Sequence, residues 1–292
     1  MNELSTIIQV LFWGVASGCI YILLATGLSI IFGVMKLVNF AHGQMLMISA
    51  YIAFSTSASL GINPYLSILV SVAVVTSLGI AVERFAFRPV LGTDKLNEIF
   101  VSLGLIYVFE NFVVLLWGNN PERIASPFEK LTVSLGGGVS LNYDRLIAVL
   151  IVIGTLIGLA FLMKRTKMGL AMRATSQRSE TAKLMGVNIN RVYLFSFALG
   201  AALAAVAGVL YGIIFSFDPY IGAIPTIKAF AIIILGGLGS IPGAVVGGLL
   251  YGISEQLAVF FFGGIWQDAV AFAVLIAVLV IRPTGIFGEK GE

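Results

Sequence analysis

The sequence predicts an all-α protein, a polytopic transmembrane bundle of about eight spanning helices with additional broken or re-entrant segments. Hydrophobic residues make up 59% of the 292 residues and charged residues only 11%, and the mean hydropathy is +1.04. A soluble domain carries about 25% charged residues, so lipid must cover this chain. The apolar runs are near-continuous and roughly 20 residues long, as spanning helices require, whereas barrel strands would alternate in polarity over ~10 residues.

Seven apolar runs have the length that a membrane-spanning helix needs. They predict helices at 7–33, 44–60, 64–82, 99–118, 145–163, 192–217 and 264–282. The polar segments between them are too short to fold as a separate soluble unit. Residues 1–292 are therefore predicted to form a single transmembrane domain, with one long polar loop at about 164–191.

The stretch 226–262 is apolar but cannot be one straight helix. The glycines and the proline near its middle would break such a helix, because glycine permits positive backbone φ angles and proline lacks an N–H group. The first piece, 227–235, would rise only roughly 14 Å, less than the ~30 Å hydrocarbon core, which predicts a re-entrant segment or a short span packed inside the bundle. The helix break is predicted at Gly236, Gly237, Gly239, Pro242 and Gly243.

The orientation follows from the loop at 164–191, which holds seven basic residues and a single acid, Glu180. Cytoplasmic loops retain lysine and arginine, so this loop is predicted to lie inside the cell. Counting the spans back from it predicts an amino terminus outside. If both pieces of 226–262 cross, the carboxy terminus lies in the cytoplasm.

The centre of this loop is predicted to be a short helix. Ser179 is the expected N-cap and Gly186 occupies the stop position, with Glu180 in the first turn, where an acid favours the helix dipole. Leu184 and Met185 would then lie on an exposed surface. Such residues between basic flanks fit a helix that docks on a protein and equally a helix that lies on the lipid surface.

Several motifs of catalysis and metal binding do not occur in the sequence. No Gly-Lys dipeptide is present, so the phosphate-binding loop of nucleotide hydrolases is excluded. His42 and Cys19 are the only residues of their kinds, so no metal site is expected. We therefore expect no catalytic residues, no cofactor and no enzymatic activity. The net charge of +3 is a topology signal, and no nucleic acid partner is expected.

Five polar residues are candidates for a translocation path. Glu110 and Asn111 lie inside the run 99–117, where an ionisable side chain costs about 2.5–3.5 kcal/mol and faces the bundle interior or a partner. Asn39, His42 and Gln44 lie where the first long apolar run breaks. For all five, structural packing or capping and contact with the path both remain open.

Other charged residues lie near the ends of predicted spans. Lys228, Asp218, Glu255 and Asp268 are in such positions. Long side chains there extend to the membrane interface while their stems stay in the apolar region. The prediction for these four is therefore exposure at the interface.

Glycines also recur at a spacing of four residues, which allows helices to approach closely in a membrane. The pairs predict tight helix contacts at Gly14/Gly18, Gly154/Gly158, Gly208/Gly212, Gly239/Gly243/Gly247 and Gly248/Gly252.

Five segments carry a resemblance to a known family. They are NFAHG from Asn39, ERFAFRP from Glu83, KAFAI from Lys228, GGLGSIPGA from Gly236 and RPTGIFG from Arg282. In order and spacing they resemble the permeases of branched-chain amino-acid ABC importers, over about residues 10–288. In that family a cytoplasmic loop docks into a cleft on a separate ATPase.

The resemblance implies an ATPase-coupling role for part of the basic loop. Thr181 replaces the first alanine of the Glu-Ala-Ala motif of import permeases, so the likeness carries over to the helix rather than to each side chain. The implied coupling residues are Arg173, Ser179, Glu180, Ala182, Leu184, Met185 and Gly186.

The resemblance further implies a bacterial plasma-membrane location and a set of partners. These are two ABC ATPase subunits, a second homologous permease, an extracytoplasmic substrate-binding protein and a small amino-acid substrate, branched-chain or otherwise hydrophobic. Two alternatives remain: a passive channel for small neutral solutes and an ion-coupled secondary transporter. The chain lacks the paired Asn-Pro-Ala turns of water channels, and Glu110 is the sole candidate for an ion-coupling acid.

Overall fold

The computed structural model describes residues 3–134, 139–282 and 284–288. Pro283 of the RPTGIFG segment lies outside the described residues. Within them the regular secondary structure is helical apart from one two-stranded hairpin and one β-bridge between Glu122 and Phe217. The predicted fold class, an all-α polytopic helix bundle, is confirmed.

Eleven α-helices follow one another in the described part of the chain. They are α1 Glu3–Met35, α2 His42–Leu60, α3 Ser67–Val82, α4 Lys95–Trp117, α5 Tyr143–Arg165, α6 Lys167–Gln177, α7 Ser179–Leu184, α8 Ile189–Ile214, α9 Ala223–Gly236, α10 Ile241–Phe262 and α11 Gln267–Ile281.

Seven helical segments of the described residues are long and apolar enough to cross a membrane. They contain α1, α3, α4, α5, α8, α10 and α11. Helix α9 has 14 residues, a rise of about 21 Å, so it is short for a span. It is longer than the predicted nine residues because it begins at Ala223. Pro225 lies in its first turn, where backbone N–H groups have no acceptor within the helix, so proline is tolerated there.

Three local features were absent from the sequence prediction. Helix α3 continues as a π-helix at Glu83–Phe87. The hairpin pairs β1, Thr132–Ser134, with β2, Ser140–Asn142, in the loop before α5. The third feature is α6, which begins after Thr166, whose side chain accepts a hydrogen bond from the Gly169 N–H group. The π-helix and the two strands are too short to leave a periodic pattern of their own, whereas the 11-residue α6 lies within the segment predicted as one polar loop.

Helix α1 forms the centre of the bundle and packs closely against α8 and α10. A Cβ added to Gly14 would lie 2.8 Å from the Ile253 Cα, and one added to Gly18 would lie 2.8 Å from the Gly248 carbonyl oxygen. The close packing predicted for these glycines is correct. The prediction of close packing is wrong for Gly154 and Gly158, because a Cβ added to either would have no atom of another described segment within 4 Å. Those two face outward from α5.

Several chain segments meet at one end of the bundle, which is termed here the basic face because Lys36, Lys95 and Arg173 lie there. The Lys95 Nζ atom donates a hydrogen bond of 3.0 Å to the Lys36 carbonyl oxygen, so α1 ends where α4 begins. A cavity at the same end is lined by Arg173 of α6, by Gly239 and by Thr284. The described carboxy-terminal residues therefore lie on the same face as the basic loop. The start of α1 lies at the opposite end, where Gln9 and Ser140 line one cavity.

Candidate functional site

Helix α7 presents apolar side chains at the surface of the basic face. Leu184 is 87% exposed and Met185 is 81% exposed. Ala182 of the same helix is buried and turned toward the bundle. Glu180 and Lys183 are exposed beside the pair. The short helix therefore has an anchored side and a free apolar tip.

The end of α7 is fixed by a glycine-dependent turn. Gly186 has a φ of +85°, and its N–H group donates to the Lys183 carbonyl at 3.0 Å. The Val187 N–H group donates to the Ala182 carbonyl at 3.1 Å. These two bonds form a Schellman motif with the left-handed residue at Gly186. The motif sets the direction in which the tip of α7 points.

Two residues of this region differ from their predicted places. Ser179 is not the N-cap: Arg178 has the extended cap conformation and its carbonyl accepts from the Ala182 N–H group, so Ser179 is already helical. No side chain caps α7. Arg173 lies on the separate helix α6, where it lines cavities shared with α1 and α10. Its place is thus apart from the tip of α7.

A second group of polar residues lies inside the bundle, where α2 begins. The Gln44 Nε2 atom donates a hydrogen bond of 3.1 Å to the Glu110 Oε1 atom, and both side chains are buried. The Gly43 N–H group donates to the Thr226 hydroxyl oxygen at 2.9 Å. The starts of α2 and α9 therefore meet beside the middle of α4.

The depth of this group follows from His42. A Cβ added to Gly27 would lie 3.0 Å from the His42 Nε2 atom. Gly27 is nine residues before Lys36, which is about 13 Å of helix rise from the basic face. Residues 36–41 therefore return into the bundle before α2 begins. Within the described residues, the His42 Nε2 and Asn39 Nδ2 atoms have no hydrogen-bond partner.

The structure separates the five predicted path residues. Gln44 and Glu110 are in contact, and His42 and Asn39 are buried on the same turn. The Asn39 Oδ1 atom accepts a hydrogen bond from the Ala41 N–H group at 3.0 Å, as a turn residue does. Asn111 points outward from α4, and its Nδ2 atom donates to the Tyr107 carbonyl of its own helix at 2.8 Å.

The helix break lies between α9 and α10, at the residues predicted for it. Gly237 and Gly239 have φ angles of +103° and +80°. The Ser240 side chain caps α10 by accepting from the Gly243 N–H group, and Pro242 lies in the first turn. Gly236 and Gly243 are packed against each other across the break. The turn is therefore tight and depends on the absence of side chains.

The carboxy-terminal segment packs on this break, a contact that the sequence analysis missed. The Ile286 and Phe287 N–H groups donate to the Leu235 and Gly236 carbonyls, both at 2.9 Å. These bonds satisfy carbonyls that the end of α9 leaves without helical partners. The GGLGSIPGA segment and residues 284–288 therefore form one unit on the basic face, although about 40 residues separate them.

A buried ion pair corrects the prediction of interfacial charges. The Lys228 Nζ atom of α9 contacts the Glu255 carboxylate of α10, and both side chains are nearly inaccessible, at 6% and 1% exposed. Asp268 of α11 lies 3.0 Å from the same Nζ atom and is 53% exposed. The Gln267 Nε2 atom donates to Glu255 at 2.6 Å. The interface prediction is wrong for Lys228 and Glu255 because each is the other's counterion.

Opposite charges in neighbouring apolar runs are the sequence signal that could have indicated this pair.

No cluster of three potential metal-ligating residues occurs within 3–134, 139–282 and 284–288.

These features define a class of protein: a multi-pass membrane permease with polar groups inside a helix bundle and an exposed apolar helix tip on its basic face. The chain belongs to the family described as the branched-chain amino acid transport system permease component, whose model matches residues 10–279.

Two curated relatives are similar over nearly the full length. The chain is 35% identical to the high-affinity branched-chain amino acid transport system permease protein BraD of Pseudomonas aeruginosa, covering 99% of this chain and 98% of BraD. It is also 35% identical to the corresponding permease protein LivH of Escherichia coli K12, covering 97% of this chain and 96% of LivH.

A solved structure, PsaBC from Streptococcus pneumoniae in complex with Fab, aligns with a TM-score of 0.54 at 13% sequence identity. The alignment covers 98% of both chains. At this identity the likeness concerns the fold alone.

Proposed function

We propose that this chain is the membrane-spanning subunit of an ATP-driven importer that carries branched-chain amino acids across a bacterial plasma membrane. Its relatives BraD and LivH are named for branched-chain amino acid transport. The sequence has no phosphate-binding loop, so ATP binding and hydrolysis are assigned to two separate ATPase subunits.

The observation that carries the proposal is the exposed apolar tip of α7, formed by Leu184 and Met185. Basic residues surround it, which supports a cytoplasmic location for this face, where ATP is present. An apolar centre with charged neighbours matches the core and polar rim of a protein interface. The buried Ala182 and the turn at Gly186 hold the tip in a defined direction, as a lever between ATPase and bundle requires.

The path is assigned to the interior polar group along α4. Buried polar side chains in a membrane protein face a pathway or one another. Gln44 and Glu110 supply a donor and an acceptor near the middle of the bundle, with Asn39 and His42 one turn away. Asn111, on the outer side of α4, would face a second permease. A cytoplasmic carboxy terminus and an external amino terminus complete the proposed topology.

The remaining partners follow from the same proposal. Helices α4 and α11 expose apolar side chains along their outer sides, which suit contact with lipid and with a second, related permease. The face opposite the basic face would receive the substrate-binding protein. Substrate choice would then rest largely with that external protein.

The docking assignment is tested with Leu184→Gln, measured by co-purification of the ATPase subunits and by uptake of labelled leucine. Both are expected to fall severalfold, since a few buried residues near the centre of an interface carry most of its binding energy. Leu131→Gln is the matched control for ATPase co-purification, because Leu131 is also exposed but lies on the opposite face. Full ATPase recovery and full uptake with Leu184→Gln would contradict the docking assignment.

A second experiment separates the pump from the channel and the ion-coupled transporter. Uptake in cells is measured after ATP depletion and, separately, after the ion gradients are dissipated at constant ATP. The proposal expects uptake to stop only in the first case. Uptake that survives ATP depletion identifies a channel, and uptake that depends on the gradient identifies a secondary transporter.

A further inference from the structure

A cavity of about 600 Å³ lies beside the basic face, between α1, α5, α6 and α10. Its walls are mostly aliphatic, and it is partly open to the outside of the bundle. The aliphatic lining residues include Ile30, Val34, Leu159, Met163, Val245 and Val246.

The depth of this cavity corresponds to one leaflet of a bilayer. Helix α5 lines it from Leu156 to Lys164, which is about 12 Å of helix rise. Half of a ~30 Å hydrocarbon core is about 15 Å. The cavity therefore extends along the apolar layer of the leaflet next to the basic face, with Lys164 at the level of the headgroups.

A second cavity, of about 720 Å³, adjoins the first at the basic face. The two share Gly33, Arg173 and Gly239 among their lining residues. Lys36 lines only the second cavity. An aliphatic compartment thus adjoins one that is lined about equally by polar and apolar groups.

The charge at this junction is positive and has no counterion in the described part of the chain. Lys36, Lys164 and Arg173 line the cavities, and none of the acidic residues that the structure describes lines either of them. None of these three side chains forms an ion pair among the residues that the structure describes. All three are exposed, so their charges are available to a ligand.

We propose that the joined cavities bind one anionic phospholipid, with an acyl chain in the aliphatic compartment and the phosphate group between Lys36, Lys164 and Arg173. A free anion would leave the aliphatic compartment without an occupant, and a neutral lipid would leave the cations without a counterion. Basic pockets between membrane helices on the cytoplasmic side are the environment that anionic headgroups select. This inference rests on membrane insertion and not on the docking of an ATPase.

The position of this lipid connects two parts of the molecule. Arg173 belongs to α6, which directly precedes α7, and Ser240 belongs to the break between α9 and α10. A lipid that contacts both would hold α6 against the break. The leaflet composition would then affect the relative position of these two elements.

The test is a lipid titration of the purified permease, with any co-purifying subunits retained, followed by native mass spectrometry. Phosphatidylglycerol and phosphatidylcholine with identical acyl chains are compared. Phosphatidylglycerol is expected to bind more tightly, and the double variant K36Q/R173Q is expected to lose about fivefold in affinity per cation removed. Its affinity for phosphatidylcholine should not change.

Two controls assign the effect to this site and to a lipid. K167Q/R191Q removes two exposed cations of the same loop that line neither cavity, and it should leave phosphatidylglycerol binding intact. V246W fills the aliphatic compartment and should weaken both lipids. Because the charge variants alter only exposed side chains, they keep the test decisive if V246W fails to fold.

Three results would overturn the proposal. The first is equal binding of the two lipids by the unmodified protein. The second is unchanged phosphatidylglycerol binding by K36Q/R173Q. The third is displacement of phosphatidylglycerol by millimolar inorganic phosphate, which would identify a site for a free anion.

Discussion

The contact between α1 and α10 and the segment α6–α7 are built in opposite ways. In the first, glycines from distant parts of the chain bring two helix backbones together, as at Gly18 and Gly252. In the second, a local turn at Gly186 directs the exposed side chains of Leu184 and Met185 outward. The first region holds the bundle together, and the second is free to bind. Substitutions should therefore affect stability in the interior and coupling at the surface.

The largest expected effect is at the buried ion pair. Lys228→Met leaves the Glu255 carboxylate buried without its cation, still accepting a hydrogen bond from Gln267. Removing one member of a buried pair costs about 3–5 kcal/mol, so thermal unfolding in detergent should occur at a much lower temperature.

The matched control for this substitution is the double variant K228M/E255L, which removes both charges. It should recover most of the lost stability, because replacing a whole buried pair by apolar groups is often neutral. If Lys228→Met alone unfolds at the original temperature, the pair does not stabilise the interior.

The next effect concerns the glycines between α1 and α10. Gly252→Ala would place a Cβ 2.5 Å from the Gly18 Cα, and such overpacking costs about 1–3 kcal/mol. Gly154→Ala is the control, because that helical glycine has no described atom within 4 Å. Alanine there should be neutral or add about 0.5–1 kcal/mol of stability. Equal unfolding temperatures for the two variants would contradict the packing difference.

A smaller effect is expected at the turn after α7. Gly186→Ala keeps an open surface but must adopt the left-handed conformation, which costs roughly 1–2 kcal/mol. Because the strain is local, hydrogen exchange should increase around residues 179–187 and stay unchanged in α1. An increase in both places would mean that α7 and the interior unfold together.

The smallest effect on stability is expected for Leu184→Gln. Its side chain is almost fully exposed, and surface substitutions of this kind stay within about 0.5 kcal/mol. Thermal unfolding should therefore match that of the unmodified protein while ATPase recovery falls. A large loss of stability would show that the tip of α7 supports the fold, which would remove the contrast between the two regions.

The sequence by itself determined the membrane environment, the helical class, the basic loop and the break near Gly237, because composition, run length, loop charge and glycine or proline act locally. It also placed the tip of α7. The bounds of α9 shifted because Pro225 is compatible with a first helical turn.

Only the tertiary structure decided which distant residues meet. The sequence predicted Lys228 and Glu255 to be charges at the membrane interface. The packing of α9 against α10 instead brings them together as an ion pair. The same holds for Gln44 with Glu110 and for the carboxy-terminal segment on the break. Glycine pairs with identical spacing differ in their surroundings: Gly14 and Gly18 lie in a helix contact, whereas Gly154 and Gly158 face outward. A helix in lipid is apolar on all its sides. The periodicity of its apolar residues therefore does not show which side packs inward, and only the tertiary contacts identify that side.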